Sequence, residues 1–495
     1  QIQEALDSVE TLTKDYPNEP LLYNISGVCY KAIGQLDVAV KSFEKALAIK
    51  PDYAEVYNNL GIIHMQLEQL DAAVESYKKA IAIKPYFAEA HNNLGISLKE
   101  LGQLDDAVES YKKTIAIKPD FAEAHNNLGN AFKVLDRLDA AVKCYERTLN
   151  IKPNFAEAHN NLGNVFKDLG QLDDAVESYK KAIAIKPDFA EAHNNLGVTL
   201  MELGQLDAAV ESFEKALAIK PDYPEAHNNL GNAFNELGQL DAAVKCYEKA
   251  LDVNPDYAEA LNNLGTAFRR LGQLDEAIKC YEKAFAIKPN YAYAHNNLGI
   301  IFTQLGQLVA AVKCYEMALA IKPDYPEAHN NLGITLKELG QLDAAVKCYE
   351  MALAIKPDYA DAYANQGNVL KGLKRLDEAL ESYERAIVLN PDLDWMLGDS
   401  LHTKMQLCIW DDLANRLDEL KNKINNKERV ISPFPLLALI DDPEIQRKAS
   451  EIYANERYPQ SHVLSKIERY PKHKKIRIGY FSADFRDHPV SHLTA

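Results

Sequence analysis

Ten asparagines recur at one interval of 34 residues: Asn59, Asn93, Asn127, Asn161, Asn195, Asn229, Asn263, Asn297, Asn331 and Asn365. A carboxamide is both donor and acceptor, so it pairs with a peptide unit whatever that unit's side chain. A ladder of them along a groove is suited to holding extended polypeptide with little sequence preference. A second row, Asn58 to Asn330, sits one residue earlier and is expected to face solvent or a neighbouring repeat. Seven histidines keep the same period: His91, His125, His159, His193, His227, His295 and His329. Equivalent residues one repeat apart are separated by ~10 Å, while the ligands of one zinc ion all lie within about 2.1 Å of it. These histidines therefore pack, and no metal is expected. Cys144, Cys246, Cys280, Cys314 and Cys348 share one repeat position. A disulfide needs Cα atoms within about 7 Å, which adjacent repeats do not offer. Seven unpaired cysteines fit a reducing cytosol.

The elements that carry these residues follow from the same period. Pro recurs at 17, 51, 85 and onward to 391, and Gly27 to Gly367 keep the interval ten residues behind. A fixed period of this length marks a solenoid. Counting each unit from Pro20, Ala54, Ala88 and so on, residues 88–121 read AEAHNNLGISLKELGQLDDAVESYKKTIAIKPDF. Ala90, Leu94, Leu98 and Leu101 form one helical stripe, Gly102-Gln103-Leu104 interrupts, and Ala107, Tyr111 and Ile115 form a second that stops at Lys118-Pro119. Each unit is thus a helix A, a tight turn and a helix B. Asp105 and its equivalents are expected to N-cap helix B. Gly at repeat position 15 is expected to supply the turn, with Glu68, Asp136 and Lys374 replacing it in three units. Gly at position 8 costs about 1 kcal/mol in mid-helix, so its recurrence implies close packing of helix B on helix A.

With 55 Lys and Arg against 72 Asp and Glu, the net charge is −17, which argues against nucleic acid or an anionic membrane as partner. Residues 1–393 carry the whole surplus, 39 basic against 57 acidic.

The pattern Gly, Ala, Tyr/Phe, Ala, Pro at positions 8, 20, 24, 27 and 32 resembles the tetratricopeptide repeat, with Thr114 and Thr148 as mild departures. The expected fold is all-α: a right-handed superhelical solenoid on the order of 100 Å long with a concave groove. Residues 1–19 are a partial repeat (helix B), 20–393 are eleven repeats, 394–470 a helical linker or cap, and 471–495 the start of a different region. In the linker, Asp394–Lys427 is expected to be helical, Ser432-Pro433-Phe434-Pro435 a rigid break, and Pro443–Tyr458 another helix. Ile476–Phe481 alternates like a short strand, followed by a loop and the start of a helix.

An asparagine ladder, a helical linker and then IRIGYFSADFRDHPVSHL together resemble the O-linked N-acetylglucosamine transferases, whose family also includes SPINDLY-type fucosyltransferases. That resemblance implies a two-lobed Rossmann-like (GT-B) catalytic region opening near Ile476, and transfer of a sugar from a nucleotide donor to Ser or Thr with inversion. UDP-GlcNAc is the implied donor, with GDP-fucose the SPINDLY-like alternative. It places His488 beside the active site, a position from which a histidine can move a proton. His492 follows one helical turn later and packs. The family's nucleotide-binding residues lie beyond Ala495, so this chain alone is expected to bind no cofactor and to be inactive. The implied partners are extended polypeptides in the groove, with an outer helix face available for a homodimer and a cytoplasmic location. A non-enzymatic repeat scaffold whose tail is only a cap is the alternative.

Overall fold

The computed structural model describes residues 2–457, and all 27 regular elements among them are α-helices. These described residues fall into two compact units, 2–323 and 324–457. The first contains the opening helix Ile2–Asp15 and nine helical hairpins; the second contains the last two hairpins and the tail. Ile476–Phe481, His488 and His492 lie outside the described residues.

Helix A of the third repeat runs Ala88–Glu100 and helix B runs Leu104–Ile117. Gly102 ends helix A at φ 75°. Its N–H donates to Lys99 O at 2.9 Å, and that of Gln103 to Leu98 O at 2.8 Å. These two bonds are the Schellman arrangement, which needs a left-handed residue after the helix. Glu68, Asp136 and Lys374 adopt the same conformation at φ 58°, 55° and 60°. Asp105 does not cap helix B. Gln103 occupies the cap position without a side-chain bond, and Asp105 stands inside the first turn. There its carboxylate meets the positive end of the helix dipole as a charge.

The mid-helix glycines have a definite neighbour. A Cβ added to Gly95 would stand 2.6 Å from Cε1 of Tyr111, the aromatic residue at position 24 of the same repeat. The same clash is met at Gly27 with Phe43 and at Gly231 with Tyr247, both at 2.5 Å. Tyr111 is 1% exposed, and Ala107 at position 20 is fully buried beside it. Thr114, in place of Ala, satisfies its buried hydroxyl by donating to Ser110 O at 3.0 Å.

The tail departs from the reading of the sequence. Asp394–Lys427 is two helices, Met396–Gln406 and Leu413–Asn425, because Cys408 and Asp412 turn left-handed between them. Pro433 and Pro435 do not break the chain; they begin the helix Pro433–Leu439, since proline needs no donor in a first turn. Pro443–Arg457 follows. These helices share a core of Leu397, Leu401, Leu420, Ile424, Ile431, Leu436 and Ile445. The segment 429–430 fastens the first of them, with Trp395 N–H donating to Arg429 O at 2.6 Å and Gly398 N–H to Val430 O at 2.8 Å. Trp395 meets Tyr453 edge-on at 5.4 Å, and Arg429 pairs with both Asp394 and Glu456.

Gly95→Ala is expected to cost about 2 kcal/mol by overpacking against Tyr111, and Gly102→Ala about 1 kcal/mol by backbone strain alone. Urea unfolding followed by circular dichroism ranks the two; the reverse order contradicts the ring contact.

Candidate functional site

The position-6 asparagines lie half-buried on the A helices, and in residues 2–323 they are joined across repeats. Nδ2 of Asn59, Asn93, Asn127, Asn161, Asn195, Asn229, Asn263 and Asn297 donates to Oδ1 of the asparagine 35 residues earlier, at 3.0 to 3.3 Å. The acceptors are the position-5 residues Asn24, Asn58, Asn92, Asn126, Asn160, Asn194, Asn228 and Asn262. Position 5 is therefore inter-repeat and not solvent-facing: Asn58 is 8% exposed and Asn160 is 2% exposed. Where repeat 1 has Ile25 at the ladder position, its Asn24 still serves as the acceptor for Asn59. In the second unit Asn365 donates to Asn330 at 3.0 Å, and Asn331 lies half-buried on the helix Pro326–Glu338.

Repeat position 9 adds a layer that reading along the sequence missed. Asn130, Asn164 and Asn232 accept a second bond from the ladder residues Asn161, Asn195 and Asn263, at 3.1 to 3.2 Å. Thr266 takes the same place for Asn297 at 3.5 Å. The position-24 tyrosines Tyr145, Tyr179 and Tyr247 donate to those same asparagines at 2.7 to 2.8 Å. In the last repeat position 9 is Asn368, which accepts from Tyr383 at 3.0 Å; elsewhere it is apolar, with Ile62, Ile96 and Val198 preceding Asn93, Asn127 and Asn229. The available signal was the coincidence of Asn at position 9 with Tyr 15 residues later. In the tenth repeat position 9 is Ile334, and the buried hydroxyl of Tyr349 has no hydrogen-bond partner.

The histidines hold loops. Nε2 of His91, His125, His159, His193 and His227 meets the carbonyl of the proline six residues earlier at 2.9 to 3.2 Å. His295 stacks on Phe285 with centroids 4.3 Å apart. Burial lowers the pKa of His159, His193 and His295, favouring neutral rings. All seven cysteines are free thiols. Burial pushes Cys144, Cys246, Cys280 and Cys314 up to about 11, so they are protonated at neutral pH and poor nucleophiles.

A cavity of about 270 Å³ opens beside Asn93, lined by Ile62, Met65, Gln66, Tyr77 and Ile96. An amide and an apolar wall thus stand side by side, and among the described residues those the sequence singles out form no catalytic constellation.

Comparison with known proteins agrees with the repeat geometry. Tetratricopeptide-repeat family descriptions match residues 29–238, 222–358 and 360–393. The chain belongs to the tetratricopeptide-repeat family. One relative is named "Probable UDP-N-acetylglucosamine--peptide N-acetylglucosaminyltransferase SEC", from Arabidopsis thaliana. It is 32% identical over 108 residues, which is 19% of this chain and 11% of that protein. The chain thus matches about a tenth of that relative's length. Among solved structures, MamA is 30% identical with a TM-score of 0.31, covering 33% of this chain and 95% of MamA. Yeast Tom70 is 17% identical with a TM-score of 0.45, covering 82% of this chain and 100% of Tom70.

Tyr349→Phe removes an unpaired buried hydroxyl and is expected to leave stability unchanged or raise it by up to about 1 kcal/mol. Tyr145→Phe takes a donor from Asn130 and is expected to lower it by about 1 kcal/mol. Equal effects in urea unfolding would exclude a structural role for position 9.

Proposed function

We propose that this chain is the acceptor-binding region of a protein O-glycosyltransferase that transfers GlcNAc from UDP-GlcNAc to Ser and Thr. The repeats hold extended polypeptide along the A helices through the amides of Asn59 to Asn365 and present it to a catalytic region that opens near Ile476. The observation that carries the binding half is the anchored amide row. Each ladder side chain from Asn59 to Asn297 is fixed by an inter-repeat bond through Nδ2. No inter-repeat bond uses its Oδ1, which keeps a lone pair to accept from a backbone N–H; only that of Asn263 among them also accepts from a neighbour, Asn262, at 3.3 Å. Pre-orienting an amide lowers the entropy lost when a peptide binds.

The glycosyltransferase half rests on the IGYFSADFRDHP segment and on the partial likeness to the Arabidopsis protein. In this reading His488 is the catalytic candidate and the location is cytoplasmic. Among the described residues no helix is long and apolar enough to cross a membrane. GDP-fucose is the second donor considered. The scaffold reading shares the groove and dispenses with the transfer, and dimerisation through an outer helix face belongs to either.

Replacing Asn93, Asn127, Asn161, Asn195 and Asn229 with Ala, in a polypeptide that carries the complete catalytic region, is expected to weaken modification of folded or long acceptors at least tenfold. A short acceptor peptide should lose less than threefold, because it does not span the ladder. Equal losses refute the ladder. The present chain, residues 1–495, is expected to transfer no labelled sugar from UDP-GlcNAc to a Ser/Thr peptide; detectable transfer would overturn that expectation.

A further inference from the structure

The ladder is chemically uneven, and the unevenness follows one residue. Asn161, Asn195, Asn263 and Asn297 each have both Nδ2 hydrogens engaged, one by position 5 and one by position 9 of the preceding repeat. Asn59, Asn93, Asn127 and Asn229 follow Val28, Ile62, Ile96 and Val198, which offer no acceptor. Their Nδ2 makes a single bond, to position 5. A singly anchored amide retains one N–H beside its carbonyl oxygen, the pair needed to bond both sides of a peptide unit. A doubly anchored one retains only the oxygen.

We infer that the residue at repeat position 9 decides which ladder amides can bond both sides of a peptide unit, and that Asn59, Asn93 and Asn127 form the tightest-gripping stretch within residues 2–323. This rests on the polypeptide-binding reading above and adds where and what it binds. Rungs ~10 Å apart meet an extended chain, at about 3.3 Å per residue, once every three residues. Three consecutive rungs therefore hold about seven residues. The same apolar position-9 side chains also build the wall of a side-chain pocket. Ile62 and Ile96, with Met65 and Tyr77, line the cavity of about 270 Å³ beside Asn93. The occupant is an extended segment carrying a leucine- or valine-sized side chain next to the backbone unit held by Asn93. In the stretch Asn161–Asn195, Asn130 and Asn164 replace the apolar wall and occupy the second N–H, so the amide network there stiffens the array.

The test uses the chain 1–495 and two fluorescein-labelled twelve-residue Gly/Ser/Thr peptides, one with a central Leu and one with a central Ser, followed by fluorescence anisotropy. The Leu peptide is expected to bind more tightly. Ile62→Asn or Ile96→Asn introduces the acceptor that Asn130 provides naturally, and each is expected to weaken the Leu peptide about fivefold. Asn93→Ala with Asn127→Ala should weaken it about tenfold. Asn161→Ala with Asn195→Ala removes two rungs that offer only an oxygen and should weaken it about threefold. Equal losses from the two Asn pairs, or full affinity in both Ile→Asn variants, overturn this inference and leave polypeptide binding standing. No binding of either peptide to the unaltered chain overturns both. Circular dichroism melting of each variant shows whether a lost affinity is a lost fold, and a variant melting with the parent while losing affinity supports the grip.

Discussion

The contact between the glycine at position 8 and the aromatic ring at position 24 sets the geometry of every hairpin. With Cβ absent, the ring lies where a methyl group would be, and the B helix settles onto the A helix at that separation. The ring is close to fully buried in each repeat, and burial of an aromatic of this size is a large share of what one hairpin gains on folding. Where the ring belongs to tyrosine, its buried hydroxyl needs a partner. In three repeats of the first unit that partner is Asn at position 9, which in turn receives the next repeat's ladder amide. A packing constraint within one hairpin thus reaches the polar surface of the next.

Hydrogen bonds between repeats are modest one by one, about 1 kcal/mol each after desolvation. Their effect is in direction more than in strength. A half-buried amide that donates to a buried amide one repeat away cannot rotate freely, so the row has a defined face. Exposed ion pairs such as Lys84–Glu55 and Lys152–Glu123, half in solvent, contribute little to stability. They belong to an acidic, well-solvated exterior over an apolar core.

The end of the array is handled differently from its interior. Past Pro391 the helix Met396–Gln406 is fastened by the backbone of 429–430, and Gly398 is the small residue that admits Ile431, whose Cγ1 an added Cβ would strike. The last hairpin's apolar edge is thereby followed by a compact cluster of short helices. Trp395 adopts a left-handed backbone at the start of this cluster, a conformation no periodic rule anticipates.

Much of this was legible in the residues themselves. The 34-residue spacing of Pro, Gly and the aromatics dictated hairpin boundaries, the left-handed turn at Gly102 and the close helix pair, because each depends on contacts within a few turns of chain. The amide ladder was visible as a row, since identical repeats place identical side chains on one face. What a row cannot reveal is who its members bond to. Asp105 reads as a cap and proves to be a first-turn charge. Pro433 and Pro435 read as a break and prove to start a helix. Asn58 and its equivalents read as exposed or inter-repeat and prove to be buried acceptors. The split between amides with one anchor and amides with two was decided only by the stack, because it depends on a side chain 31 residues away brought within hydrogen-bond distance by the packing of one repeat on the next.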